Sequence, residues 1–425
     1  MSQCILSQSS SLDDWLCYLE SIHPANIEMG LTRVEKVAQQ QGLSNLSSKI
    51  ILIAGTNGKG TTARCLEAML LAQGYSVGTY ASPHIFHYNE RVRINGNKLD
   101  DQEHVDAFHA LEHGRGETTL TYFEYSTLAG LEIFKRHQVD YILLEVGLGG
   151  RLDATNIVSP IASVITTIDL DHKDYLGDTR ELVGFEKAGI FRKDTPAIVG
   201  DLNIPQSVID YGTKISANMI LSGTDFKYLD HGSSFEWHYE SNKIEYKQPA
   251  IPAQNIATAL TTLKSLNLLP SDKIITQVIN TLKVEGRFEC LSQSPLVYVD
   301  VAHNPESARY LAKQLQILKS QDYKINALVG MLEDKDQKAV LSELTQIVDN
   351  WSIATLTCFR GAKNDVLAEK LSCLGINDAQ KFASVDNALD NLLSKMQGTD
   401  KNGEKQLLIV FGSFYTVADA MLFLS

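Results

Sequence analysis

An apolar run, Lys49-Ile-Ile-Leu-Ile-Ala54, passes directly into Gly55-Thr56-Asn57-Gly58-Lys59-Gly60-Thr61-Thr62 and then into a helical pattern. Few arrangements satisfy that order. The β-branched run calls for a buried strand, the glycines turn the chain, and a helix must then pack back on the sheet. Glycines also let the backbone approach a triphosphate, and the first N–H groups of the helix point at its oxygens. Lys59 is placed for the β- and γ-phosphates, and a hydroxyl from Thr61 or Thr62 for Mg2+. The candidate nucleotide contacts are therefore Asn57, Gly58, Lys59, Gly60 and Thr61. The strict Walker A spacing is not met: Ile53 stands where the first glycine belongs, and Gly60 where Ser or Thr should follow the lysine. The strand–loop–helix context carries the reading instead.

The rest of the chain alternates short β-branched runs with amphipathic helical segments, which predicts an α/β protein with largely parallel sheets. Strands are expected at Lys49–Ala54, Tyr141–Val146, Ile161–Ile168, Leu296–Val301, Asn326–Met331, Trp351–Leu356 and Gln406–Phe411. A helix is expected from Pro305, capped by Asn304, with Ala308, Leu311, Leu315 and Leu318 on one face. Polar and aromatic residues alternate from Gly223 to Gln248, which reads as an antiparallel hairpin region on the surface. The domain boundary is expected near Val284–Ser294, where Gly286 interrupts a helical stretch before a new strand. Residues 1–286 then form a first domain about twice the size of a second, residues 287–425.

Composition limits the function classes. The 425 residues carry a formal net charge of −13, which disfavours nucleic acid and anionic lipid as partners. No apolar run approaches the ~18 residues that span a bilayer. The N-terminus has no basic start or apolar core and carries Asp13 and Asp14, so it does not read as a secretory signal. Cys4, Cys17, Cys65, Cys290, Cys358 and Cys373 include no C-x-x-C pair, which predicts buried free thiols in a reducing cytoplasm.

Glu145 closes the strand Tyr141–Glu145, where a carboxylate beside a phosphate loop can serve a metal. Gly147-Leu-Gly-Gly-Arg-Leu152 is not a dinucleotide fingerprint, because Leu152 occupies the third glycine position. Asn97-Lys98-Leu99-Asp100 matches the guanine-reading pattern only formally, since its surroundings read as a hairpin turn.

Nine segments in order resemble the Mur ligase superfamily, in its folate branch. They are GTNGKGTT (55–62), YASPHIFHYNERVR (80–93), TYFEYSTLA (121–129), EVGLGGRLDATN (145–156), DHKDYLG (171–177), FEKAGIFR (185–192), GRFE (286–289), DVAHNPES (300–307) and GSFYTVADA (412–420). The resemblance implies a P-loop ATPase domain of the Mur ligase central type followed by a smaller Rossmann-like α/β domain that ligates glutamate. It implies an ATP-dependent amide ligase that joins L-glutamate to dihydropteroate or to a folate through an acyl phosphate.

The same resemblance assigns residues. Thr61, Ser82, Glu145 and His172 would hold divalent metal, with two Mg2+ ions expected and Mn2+ compatible with the imidazole. Lys187 matches a lysine that the family carries as a carbamate (N6-carboxylysine). Asn255 matches the adenine side of the nucleotide, Arg287 and Asp300 its other contacts, and His303 a position for glutamate or the intermediate. Pteroate would lie against Glu28, Met29, Gly30 and Leu31, against Thr121, Tyr122, Phe123 and Glu124, and against the segment from Arg151 through Leu152, Asp153 and Ala154. The Thr121–Glu124 stretch resembles the bifunctional members more than those limited to polyglutamylation. The resemblance further implies closure of the second domain to exclude water from the acyl phosphate. A cytoplasmic monomer acting on small molecules is expected. The rivals are a cell-wall Mur-type amino-acid ligase, which the Ser82–His84 loop argues against, and a P-loop nucleotide switch, which would need a base-reading motif.

Overall fold

A computed structural model gives the architecture and describes residues 6–23, 27–231, 234–247, 251–358, 360–399 and 405–425. The chain divides into two compact units, Met1–Leu282 and Lys283–Ser425.

The first unit opens with helices α1 (Leu12–Ser21) and α2 (Thr32–Gln40). Its eight-stranded sheet comprises β1 (Lys49–Ala54), β2 (Val77–Tyr80), β3 (Val92–Ile94), β4 (Asn97–Lys98), β5 (Tyr141–Glu145), β6 (Ala162–Ile165), β7 (Pro196–Val199) and β8 (Asn218–Leu221). The spatial order is β4-β3-β2-β5-β1-β6-β7-β8. All neighbours from β2 to β8 are parallel, and β3 and β4 add an antiparallel edge. Helices α3 (Lys59–Leu71), α4 (Asp101–Arg115), α5 (Tyr122–His137), α6 (Lys173–Leu176), α7 (Arg180–Ala188) and α8 (Gln206–Ile215) connect the strands. Every residue of β5, and all of β1 after Lys49, is buried, as a parallel sheet covered on both faces requires. The chain leaves β1 toward β2 on one side and β5 toward β6 on the other. That reversal makes the carboxyl end of β1 the switch point where open α/β sheets bind ligands.

The formal guanine-reading tetrapeptide lies outside any such crevice. Asn97 and Lys98 are the exposed edge strand β4, and the Asp100 carboxylate caps α4.

The expectation for 223–248 needs correction in part. The segment is antiparallel as expected, a three-stranded sheet of β9 (Phe226–Asp230), β10 (Ser234–Tyr239) and β11 (Asn242–Lys247); Gln248 lies outside the described residues. It is not merely superficial, however. Phe226, Phe235, Trp237 and Tyr246 are buried, and Trp237 Nε1 donates to Thr261 Oγ1 at 3.0 Å on helix α9 (Ala253–Ser265). The alternation was correct, but one face had a helix to cover it. The cysteines also depart from expectation. Cys65 is buried, whereas Cys17 and Cys373 are exposed, Cys290 and Cys358 are half-buried, and Cys4 lies outside the described residues.

Helix α10 (Asp272–Thr281) closes the first unit. The second carries a six-stranded sheet of β12 (Glu289–Gln293), β13 (Leu296–Asp300), β14 (Lys324–Val329), β15 (Asn350–Ala354), β16 (Gln380–Phe382) and β17 (Gln406–Phe411). Its order is β12-β13-β17-β14-β15-β16, parallel except for β12. Alternate residues of one strand enter two separate cores: Leu407, Ile409 and Phe411 face one, Leu408 and Val410 the other. Helix α11 (Pro305–Lys319) begins as its sequence requires, with the Asn304 side chain accepting from Ser307 N and Pro305 in the first turn.

Candidate active site

Four adjacent parallel strands, β2, β5, β1 and β6, end on the same edge of the large sheet. Ser82 follows β2, the glycine-rich loop follows β1, Glu145 ends β5, and the segment leading to His172 follows β6. The topology therefore brings all four expected metal-binding segments to one edge.

Gly58 caps α3 in the left-handed conformation, with φ 80°. A side chain there would be strained and would collide with the Asn255 amide. The Asn255 Nδ2 donates to Gly58 O at 3.2 Å and to Thr62 Oγ1 at 3.1 Å. Its observed amide contacts thus brace the loop, a role the assignment to the adenine side did not include. Two further braces escaped sequence reasoning. Thr166 Oγ1 donates to Asn57 O at 2.6 Å, and Thr167 Oγ1 accepts from Asn57 N at 3.0 Å. β6 stops at Ile165 rather than Ile168: Thr166 N still donates to Ala54 O at 2.9 Å, but from there the backbone partner is the loop, Thr167 O accepting from Thr56 N at 2.8 Å. Paired strand-end threonines in Ile165-Thr-Thr-Ile168 were the available signal. Lys59 Nζ donates to Gly55 O at 3.1 Å, so its cation lies over the loop it serves.

Glu145 is buried, and its Oε2 lies 3.3 Å from where a Cβ on Gly60 would stand. The carboxylate therefore faces the first turn of α3, where Thr61 sits. Oxygen donors from Thr61, Ser82 and Glu145 suit a hard divalent cation. His172 is exposed and left-handed, with φ 51°, and caps α6. Among the described residues no three His, Cys, Asp or Glu side chains gather as a metal cage. The expected set contains only two such residues, so hydroxyls and nucleotide phosphates would complete the coordination. Lys187 is buried near the end of α7.

The Ser82 loop is held by a residue that sequence reasoning passed over. Glu90 accepts from Ile85 N at 2.6 Å, Phe86 N at 3.1 Å and His87 N at 3.1 Å. Burial would push its carboxyl up, but the three amides and Lys98 outweigh burial and hold it below the usual range. Arg91 Nε donates to His84 Nδ1 at 2.9 Å, so that imidazole is neutral, its pKa lowered to about 4 by burial and by the Arg91 charge.

The three expected pteroate segments also converge. The Phe123 ring fills the space beside Gly147, and the Met29 terminus lies 3.9 Å from a would-be Cβ on Gly149. Tyr80 and Phe123 rings are 6.1 Å apart, and the Arg91 guanidinium lies 5.3 Å from the Tyr122 ring centre. Several polar members also make structural contacts. Thr121 and Glu124 form the capping box of α5. Asp153 accepts from Leu148 N at 2.8 Å and Thr155 N at 2.9 Å, so both its oxygens organise the loop. Arg151 is paired with Glu186 at 2.8 Å.

In the second unit, Asp300 accepts from Phe288 N and Ala302 N, both at 2.8 Å, and is buried. Burial raises its pKa, partly countered by Arg287. Arg287 lies 5.8 Å from the Phe414 ring centre. His303 Nδ1 is 2.8 Å from Val301 O, which orients the ring and places the Nδ1 proton on that carbonyl.

Comparison with known proteins shows which family the chain belongs to. Residues 53–265 match the Mur ligase middle domain, and residues 286–414 the Mur ligase glutamate ligase domain. The dihydrofolate synthase/folylpolyglutamate synthase of Haemophilus influenzae is 39% identical over 99% of this chain and 99% of its own length. The structure of E. coli FolC in complex with DHPP and ADP has a TM-score of 0.93 and 40% identity, covering 98% of each chain. The bifunctional folylpolyglutamate synthase/dihydrofolate synthase of Yersinia pestis, complexed with AMPPNP and Mn ion, has a TM-score of 0.90 and 42% identity, again covering 98% of each. With both domain types in family order and full-length identity of this degree, the chain belongs to the dihydrofolate synthase/folylpolyglutamate synthase family of Mur ligases.

Proposed function

We propose that this chain joins L-glutamate to 7,8-dihydropteroate, giving dihydrofolate, and to tetrahydrofolate, giving γ-linked polyglutamates, with ATP converted to ADP and phosphate. One observation carries the reading: the phosphate loop after β1 is braced, the buried Glu145 carboxylate at the end of β5 faces it, and the Phe123 ring packs beside Gly147 in the loop that follows β5.

A carboxylate is a poor electrophile. Its oxygen attacks the γ-phosphorus of ATP, ADP leaves, and the resulting acyl phosphate carries a good leaving group. The glutamate amine then attacks the acyl carbon, expelling phosphate and losing a proton. Phosphoryl transfer asks the protein chiefly for alignment and charge neutralisation. In this scheme Asn57, Gly58, Gly60 and the first amides of α3 cradle the phosphates, and Lys59 neutralises them. Thr61, Ser82, Glu145 and His172 would hold two Mg2+ ions, whose chemistry is to draw charge from the phosphate oxygens. Lys187 as N6-carboxylysine would add an anion beside them. Arg287 and Asp300 serve the nucleotide, Asn255 serves it through the loop, and His303 orients glutamate. The protein acts as a cytoplasmic monomer, without nucleic acid or membrane as partner. No helix among the described residues is long and apolar enough to cross a membrane.

The test mixes purified protein with MgATP and L-glutamate, with and without dihydropteroate, and follows ADP release and product mass. ADP release that requires dihydropteroate or a folate is expected, with product heavier by one glutamyl residue. Equal ADP release without either acceptor removes the ligase reading. Dihydropteroate turnover without extension of tetrahydrofolate reduces the chain to a synthase.

A further inference from the structure

The pteroate segments are contributed by distant stretches of chain, so something must set their spacing. Arg33, the second residue of α2, stands at the junction. Its Nη1 pairs with the Glu28 carboxylate and its Nη2 donates to Glu124 Oε1 at 2.9 Å. Glu124 is 4% exposed, and its other oxygen accepts from Thr121 N at 2.8 Å. One guanidinium thus ties the segment Glu28–Leu31 to the start of α5, while Met29 leans on the Gly149 loop. Arg33 Nε is buried and has no hydrogen-bond partner. That unsatisfied donor is a feature core packing alone would not select. The fork geometry matters: two divergent carboxylates need donors fixed in one plane, which an ammonium cannot supply.

We propose that Arg33 is a positioning residue for pterin substrates, a clamp that sets the separation of the Glu28–Leu31 and Thr121–Glu124 walls without touching the reacting atoms. The inference rests on the assignment of those segments to pteroate, and deepens it by naming what holds them in register. Glu28 and Glu124 are then the two jaws of the clamp rather than direct pterin ligands. The phosphate loop is braced separately by Asn255, Thr166 and Thr167, none of which Arg33 contacts, so nucleotide binding should be spared.

The experiment compares Arg33→Lys, Arg33→Gln and Phe123→Ala in steady-state kinetics, thermal melting and direct dihydropteroate binding by pterin fluorescence. Arg33→Lys keeps the charge but loses the fork. The expected result is a folded protein whose KM and Kd for dihydropteroate rise roughly tenfold, with KM for ATP within twofold of the parent by the same tenfold-per-1.4 kcal/mol scale. Should Arg33→Gln fail to fold because Glu124 is left buried without a cation, the charge-balanced pair Arg33→Gln/Glu124→Gln takes its place. Unchanged dihydropteroate affinity in folded Arg33→Lys, with a weakened Phe123→Ala, overturns the clamp and leaves the site assignment standing. Unchanged affinity in both overturns the site assignment and the clamp with it. Equal loss for ATP and dihydropteroate, with a lowered Tm, shows a merely structural residue and also overturns the proposal.

Discussion

At the residue scale, the first unit stores several polar groups where water cannot reach them. His104 on α4 is fully buried, neither ring nitrogen has a partner, and its ring packs edge-on against Tyr88 at 5.2 Å. Burial lowers its pKa to about 4, against a smaller opposing pull from Asp101 and Asp100. The sign follows directly. Above the ordinary histidine pKa both folded and unfolded states are neutral there, and stability is unaffected. Between that value and about 4 the unfolded chain takes a proton that the folded chain refuses, so stability falls with pH. Replacing His104 with Leu should leave the Tm near that of the parent at pH 7. At pH 5 it should raise the Tm by several degrees, as a domain of this size gains ~2–4 °C per kcal/mol. Equal melting of parent and variant at pH 5 would contradict the assignment of a neutral, buried imidazole.

At the scale of elements, the loop between β1 and α3 is held by partners from other parts of the sheet and from α9. Gly58→Ala forces a left-handed alanine, costing about 1 kcal/mol, and pushes the added carbon into the Asn255 amide. We expect the KM for ATP to rise at least tenfold, on the order of 1.4 kcal/mol, with the fold retained. Asn255→Ala removes the obstructing amide but also its bonds to Gly58 O and Thr62 Oγ1. The double variant should therefore lose less than the sum of the two single losses, since the residues share one contact. Strict additivity in ATP affinity would show that Asn255 does not brace this loop.

At the scale of the whole molecule, Met1–Leu282 and Lys283–Ser425 each enclose their own apolar clusters. Two cores of this kind need not melt together. A calorimetric scan should give a van't Hoff enthalpy below the calorimetric one, and coincidence of the two would show a single cooperative unit. The charge of −13 bears on binding at this scale as well. ATP, glutamate and folates are all anions, so affinity must come from local donors such as loop amides and Lys59 working against the global field.

What the sequence determined alone is whatever lies within one short stretch. The strand–loop–helix of 49–71 was legible because strand, glycines and lysine are contiguous. β1 and β17 coincide with their expected spans for the same reason, and α11 announces itself through Asn304-Pro305. Tertiary structure decided everything that depends on a distant partner. Asn255 reaches Gly58 from 197 residues away, Thr166 reaches Asn57 across 109, and Arg33 reaches Glu124 across 91. The aromatic sheet of β9–β11 was read as superficial because nothing in its own alternation says which face α9 will cover. Period and turn chemistry act between neighbours, whereas burial and pairing depend on which surfaces the folded chain brings together.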